Sequence, residues 1–286
     1  MSSSLRTVRQ VIVPQPVIEG AGVKLKRSIG TRTLDYLDPF LLLDHFVSDD
    51  PADYEAGFPF HPHRGIETVT YLLRGQVDHR DSIGNSGSIG AGDVQWMTAG
   101  RGIMHEEMPQ VRPEGITGFQ LWVNLPARLK MTRPRYQDIR SDQIPEITQK
   151  DGARIRVIAG TVGAIKGPVT GIAADPTYLD VFIPPHTSFT LAVERGQTLF
   201  AYVFAGSARF RQADRSQRLI SHPHLVILGD GDSVSVKTEF HSVRFLLVAG
   251  KPLGEPIARY GPFVMNTKKE IEETLLELRD GTFVTT

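Results

Sequence analysis

The chain has 286 residues, about twice the commonest domain size, which points to two domains rather than one. Apolar residues make up 40% and charged residues 22%, the balance of a chain that buries a core, which excludes a disordered one. Lys plus Arg and Asp plus Glu each total 32, so no net field draws the molecule toward nucleic acid or an acidic membrane.

Cysteine is absent, which excludes disulfides, iron–sulfur clusters, thiolate nucleophiles and Cys-ligated metals. Imidazole and carboxylate must hold any metal, so the nine histidines are the residues to follow.

The first twenty residues are polar, carry Arg6 and Arg9, and are broken by Pro14 and Pro16, without the apolar run and cleavage site of a secretory signal. The longest apolar runs, such as LLVAG at 246–250, fall far short of the roughly 20 residues of a membrane-spanning helix. The expectation is a cytoplasmic protein with no membrane contact.

From there on, glycine and proline punctuate short segments rich in Val, Ile, Phe, Tyr and Leu: IETVTYLLRG, GDVQWMTAG, GFQLWVNLP, ARIRVIAG, TYLDVFIPP, TLFAYVFAGSARF, HLVILGDGDSVSV and VRFLLVAG. Their spacing predicts an all-β protein of sandwich or barrel type. YLLRGQVDHRDSIGNSGSIGAGDVQWMTAG and YVFAGSARFRQADRSQRLISHPHLVILGDGDSVSV run through strand, turn, strand, Gly-rich turn and strand in similar order, which implies an internal duplication. The polar stretch 134–152 between them reads as a connection, giving domains 1–140 and 141–286. One helix is predicted, at 267–279, with a capping box of Thr267 and Glu270 and an apolar face of Ile271, Leu275 and Leu278.

Strand periodicity places His61 and His63 of FPFHPHRG on one face, and the same spacing recurs in His105 and Glu107 of RGIMHEEMP. One H-x-H pair is weak evidence for a metal. Two His/carboxylate pairs inside a β pattern predict a site of three neutral imidazoles and one carboxylate, suited to a first-row divalent ion with open positions for chemistry. Trp96, Met97, Met104 and Phe60 flank these residues and fill the core or line an apolar cavity able to take a flat aromatic molecule. His222 and His224 repeat the H-P-H tripeptide without a His-x-Glu partner, His241 being the nearest histidine, and are read as a loop and strand start. His79 and His186 read as loop or strand-edge residues, and His45 as structural.

The segments DPFLLLDHF, FPFHPHRGIETVTYLLRG, GDVQWMTAGRGIMHEEMP, GFQLWVNLP and PLGEPIARYGPFVMNT together resemble the pirin family of the cupin superfamily, over most of the chain. The resemblance implies a bicupin of two antiparallel β-barrels, with a metal, usually taken as iron, in the N-terminal barrel and none in the second. It implies His61, His63, His105 and Glu107 as ligands. The donor set leaves nickel, copper, manganese, cobalt and zinc open beside Fe(II). The general cupin pattern offers Glu67 as a rival carboxylate, against which Gly65 could introduce a bulge that re-aims the following side chains.

Two functions follow from the resemblance. One is a quercetin 2,3-dioxygenase, in which Glu107 takes a proton from the flavonol, O2 is the co-substrate and CO is released. The other is a metal-dependent regulatory protein that senses redox state through iron and acts on a protein partner, without direct contact to nucleic acid.

Overall fold

A computed structural model describes residues 4–284. It is built of short strands with one C-terminal helix, the all-β architecture expected. The first half runs through β1 (Val8–Ile12), β2 (Gln15–Glu19), β3 (Val23–Ile29), β4 (Phe40–Ser48), β5 (Phe58–His63), β6 (Ile66–Arg74), β7 (Gln76–Asp81), β8 (Ser86–Ile89), β9 (Val94–Thr98), β10 (Ile103–Gln110), β11 (Ile116–Asn124) and β12 (Arg135–Ile139). The second runs through β13 (Glu146–Thr148), β14 (Arg154–Ala159), β15 (Thr161–Val162), β16 (Ile165–Lys166), β17 (Thr177–Ile183), β18 (Ser188–Ala192), β19 (Thr198–Arg211), β20 (Gln217–Ser221), β21 (His224–Leu228), β22 (Ser233–Lys237) and β23 (Val243–Gly250). It ends in β24 (Ala258–Tyr260), β25 (Phe263–Met265) and α1 (Lys268–Arg279).

Two compact units form, and neither is continuous in sequence. One comprises Gln15–Ser141 with residues 253–284, the other Asp142–Pro252 with residues 4–14. Contiguous halves divided at 140/141 therefore do not describe the fold, because each end of the chain joins the unit of the opposite half. At the N-terminus β1 pairs antiparallel with β21, with Val11 opposite Val226. At the C-terminus Val264 packs with Leu41, Ile66 and Met97 of the first unit. The polar stretch 134–152 is not a free connection either: β12 pairs with β9, and β13 with β14. Its spaced apolar residues, Tyr136 and Ile147, half-bury one face of an edge strand.

The first unit contains a seven-stranded sheet in the order β12-β9-β6-β11-β4-β3-β2 and a four-stranded sheet in the order β5-β10-β7-β8. Alternation in β3 buries Val23 and Leu25 and exposes Lys24, the pattern of a strand with one face inward. In the second unit Phe189, Phe210, Phe245, Leu179 and Leu247 belong to one apolar cluster, with the Phe245 ring edge-on to those of Phe189 and Phe210.

The C-terminal segment is fastened to the turn between β5 and β6. Thr267 caps α1, accepting from the Glu270 amide at 3.2 Å while the Glu270 carboxylate accepts from the Thr267 amide at 2.7 Å, the capping box expected. Arg64, buried, donates to Thr274 and Glu277 of the helix and lies over the Phe283 ring. Lys130, 1% exposed, donates to the carbonyls of Gly65 and Val264 and to Asn124, using all three ammonium protons.

Gly65 turns the chain at φ +77°, and a Cβ there would stand 2.0 Å from the Val264 carbonyl oxygen. Gly65→Ala is expected to destabilise the first unit by about 1–3 kcal/mol, read as a lowered thermal midpoint; an unchanged midpoint would show that the turn relaxes freely.

Candidate metal centre

The site begins with one strand pairing. β5 and β10 run antiparallel with His61 opposite His105 and His63 opposite Ile103, so the H-x-H of one strand and the His-x-Glu of the other face the same side. The ring centroids of His61, His63 and His105 lie 4.4–5.1 Å apart. One ring nitrogen from each comes within 4.8 Å of the others, a group able to hold one ion.

Burial is deep at two of the three: His105 is fully buried and His63 nearly so, while His61 is half-buried. Burial, reinforced by the neighbouring imidazoles, holds the His63 and His105 rings well below the ordinary histidine range, so both are neutral near pH 7. Neutral rings carry lone pairs. Nδ1 of His63 and both nitrogens of His105 have no hydrogen-bond partner, an arrangement that costs about 1–3 kcal/mol per buried group when nothing else takes the lone pair. His61 Nδ1 lies 3.0 Å from the Pro59 carbonyl, which fixes the proton there and leaves Nε2 as the donor atom. These residues fit a first-row divalent ion.

Glu107 stands apart from the three-histidine group. The register against β5 shifts between His105 and Glu107, placing Glu107 opposite Phe58. Its Oε1 lies 2.9 Å from the Thr70 hydroxyl, which shares its single proton with Gln120, and its Oε2 lies 3.5 Å from Gln120 Nε2. Glu67 is likewise outside the three-histidine group: Gly65 ends the periodicity of β5, and β6 carries Glu67 to a buried position where it accepts from Thr98 at 2.8 Å.

His61, His63 and Glu107 line a cavity of about 540 Å³ together with Thr70, Gln120, Trp122 and Phe58. Two cations reach it. Arg27 is gripped by both oxygens of Asp44, at 2.8 and 2.7 Å, and by Glu19 at 2.6 Å, whereas Arg259 lies over the Trp122 ring. Of the aromatic and sulfur residues expected around the ligands, Trp96 and Met97 are fully buried elsewhere in the core, Phe60 is exposed beneath Arg80, and Met104 packs toward the C-terminal cluster. The cavity wall comes instead from β3, β4 and β11. Gln120 and Trp122 alternate along GFQLWVNLP, and a polar residue on the inward parity was the available signal.

His79 is not a loop or edge residue: it is buried on β7, between β10 and β8, opposite Glu107 and stacked near Tyr136. His45 is a buried strand residue stacked on Phe119 at 4.7 Å. His222 precedes β21 and His224 begins it, with ring nitrogens on the carbonyls of Gly206 and Ser221. No helix among the described residues is long and apolar enough to cross a membrane.

Burial raises the Glu67 carboxyl to about 7. The native state therefore binds this proton more tightly than the unfolded chain, so its contribution is neutral below pH 4.5 and destabilises progressively as pH rises to 7, by about 3 kcal/mol in full. Glu67→Gln is expected to shift the slope of stability against pH between 4.5 and 7 in the positive direction relative to wild type, measured as thermal midpoints across that range; an unaltered slope would refute the assignment.

Comparison with known proteins agrees with the geometry. The family model described as Pirin matches residues 22–123, and the Pirin C-terminal cupin domain matches 178–284. A pirin-like protein of Caulobacter vibrioides is 43% identical over 280 residues, covering 98% of this chain and 99% of that one. Human pirin is 42% identical over 281 residues, covering 97% and 94%. The crystal structure of a quercetin 2,3-dioxygenase from Acinetobacter baumannii superposes with a TM-score of 0.88 at 36% identity, covering 99% of both chains. With two cupin units and matches along nearly its whole length, the chain belongs to the pirin family.

Proposed function

We propose that this protein is a metal-dependent dioxygenase of the quercetin 2,3-dioxygenase type, with Fe(II) as its ion. The observation that carries the proposal is the convergence of three imidazoles, two of them held neutral by burial, at a largely apolar cavity that His61, His63 and Glu107 line. The name of the Acinetobacter baumannii relative supports it.

His61, His63 and His105 would hold the ion, with Glu107 as fourth donor through Oε2, the oxygen more loosely held in its present contact. The ion supplies Lewis acidity toward the substrate hydroxyl and a site for O2. The remaining work belongs to side chains. The apolar wall that includes Trp122 and Phe58 gives a flat aromatic ring system a surface to pack on. Thr70 and Gln120 aim the Glu107 carboxylate, which accepts the proton of the flavonol 3-hydroxyl. In the overall reaction both atoms of O2 enter the organic product, the heterocycle opens and one ring carbon leaves as CO.

Replacing His61, His63 or His105 by Ala is expected to remove bound metal, by elemental analysis, together with quercetin turnover. Glu107→Gln should retain metal while turnover falls about 10²–10⁴-fold. Turnover by the iron-loaded protein under air that does not exceed that of free iron would overturn the enzymatic reading and favour a regulatory one.

A further inference from the structure

We infer that the cavity carries an anion subsite at Arg259, and that its ligand is an aromatic hydroxy compound with a second acidic oxygen, a carboxylate or ionised phenol, distant from the group that meets the histidines. The inference deepens the functional proposal and rests on its premise that this cavity is the ligand site.

The two cavity arginines are in opposite states. Arg27 spends its guanidinium on Asp44 and Glu19. Arg259 has no carboxylate oxygen within 4.0 Å among the described residues. Its Nη1 and Nε make only long contacts, 3.3 Å each, to the carbonyls of Leu41 and Gly261. The acids nearest in effect are Asp35, Glu19 and Asp44, and the last two are committed to Arg27. A guanidinium stays charged in any such setting and offers a planar fork of donors that matches a carboxylate.

Its position is also fixed. Arg259 is solvent-exposed on β24 and lines the cavity, which places it at the rim. Its Cζ lies 5.1 Å from the Trp122 ring centroid, and the same indole stands edge-on to His63 at 5.1 Å. One aromatic side chain thus separates the cation from the histidine group, a spacing that a fused two-ring ligand spans. Stacking on the indole pre-orders the guanidinium, which lowers the entropic cost of gripping an anion.

The test uses the metal-loaded protein, calorimetric titration and two aromatic probes, 2-naphthol and 6-hydroxy-2-naphthoate. Wild type should bind the carboxylate-bearing probe at least about tenfold more tightly. Arg259→Gln should abolish that preference with 2-naphthol unaffected, and Arg259→Lys should restore part of it. Equal binding of the two probes by wild type would overturn the inference, as would a parallel loss of both in Arg259→Gln, the mark of a merely structural rim. A preference that survives in Arg259→Gln would place the carboxylate at the histidines and overturn it equally. Quercetin turnover is followed alongside: its absence with an Arg259-dependent preference supports the subsite and counts against the oxygenase reading alone.

Discussion

The site depends on the register between β5 and β10. Opposite residues on antiparallel strands share a face, so His61 across from His105 brings together two candidate ligand pairs that lie more than forty residues apart in sequence. A slip of one residue would turn one pair outward and bury Pro62 or Met104 in its place. The flank beyond β10 holds that register. On the far side of β10, β7 pairs with Asp81 opposite His105 and His79 opposite Glu107, and β8 follows, where a side chain at Gly87 would strike the His79 ring. The bulge, an extra residue in β5 opposite His105–Glu107, is the one departure, and the Glu107 carboxylate meets Thr70 and Gln120.

Crowding three imidazoles in a buried pocket costs free energy that the surrounding framework must offset. Desolvation keeps His63 and His105 neutral, which removes charge repulsion and supplies the lone pairs that a metal needs. Two buried cations secure the chain just beyond His63: Arg64 reaches the C-terminal helix, and Lys130 bridges Gly65 to Val264. Burial lowers the Lys130 ammonium to about 8, still charged near neutrality and held by three acceptors. The last segment of the chain is in this sense part of the scaffold for the candidate metal centre.

Local signals in the sequence were sufficient for the strands, the capped helix and the two His/carboxylate pairs. A two-residue period, a capping box and ligand chemistry are each visible within a few positions. What escaped depends on long-range return. Nothing local in 253–284 reports that Val264 and Thr274 fold back onto residues 64–66, or that β1 leaves its sequence neighbours to pair with β21. Nothing local marks His79 as buried, because VDHRDS is polar and precedes a turn, whereas strands β10 and β8 flank it on both sides. The cavity wall was equally hidden, since Arg27, Gln120, Trp122 and Arg259 come from four separate segments.

The second barrel shows why motif alone does not make the centre. It carries the same H-P-H tripeptide at residues 222–224, yet there His222 is exposed and His224 half-buried, with ring nitrogens at the carbonyls of Gly206 and Ser221. Its interior is closed by Phe189, Phe210 and Phe245 with their aliphatic neighbours. In the first barrel the tripeptide closes β5 beside a strand that presents His105, and Thr70 and Gln120 replace apolar residues on the inward face. The difference in chemistry between two barrels of one architecture lies in a few inward positions and in the strand that pairs with them.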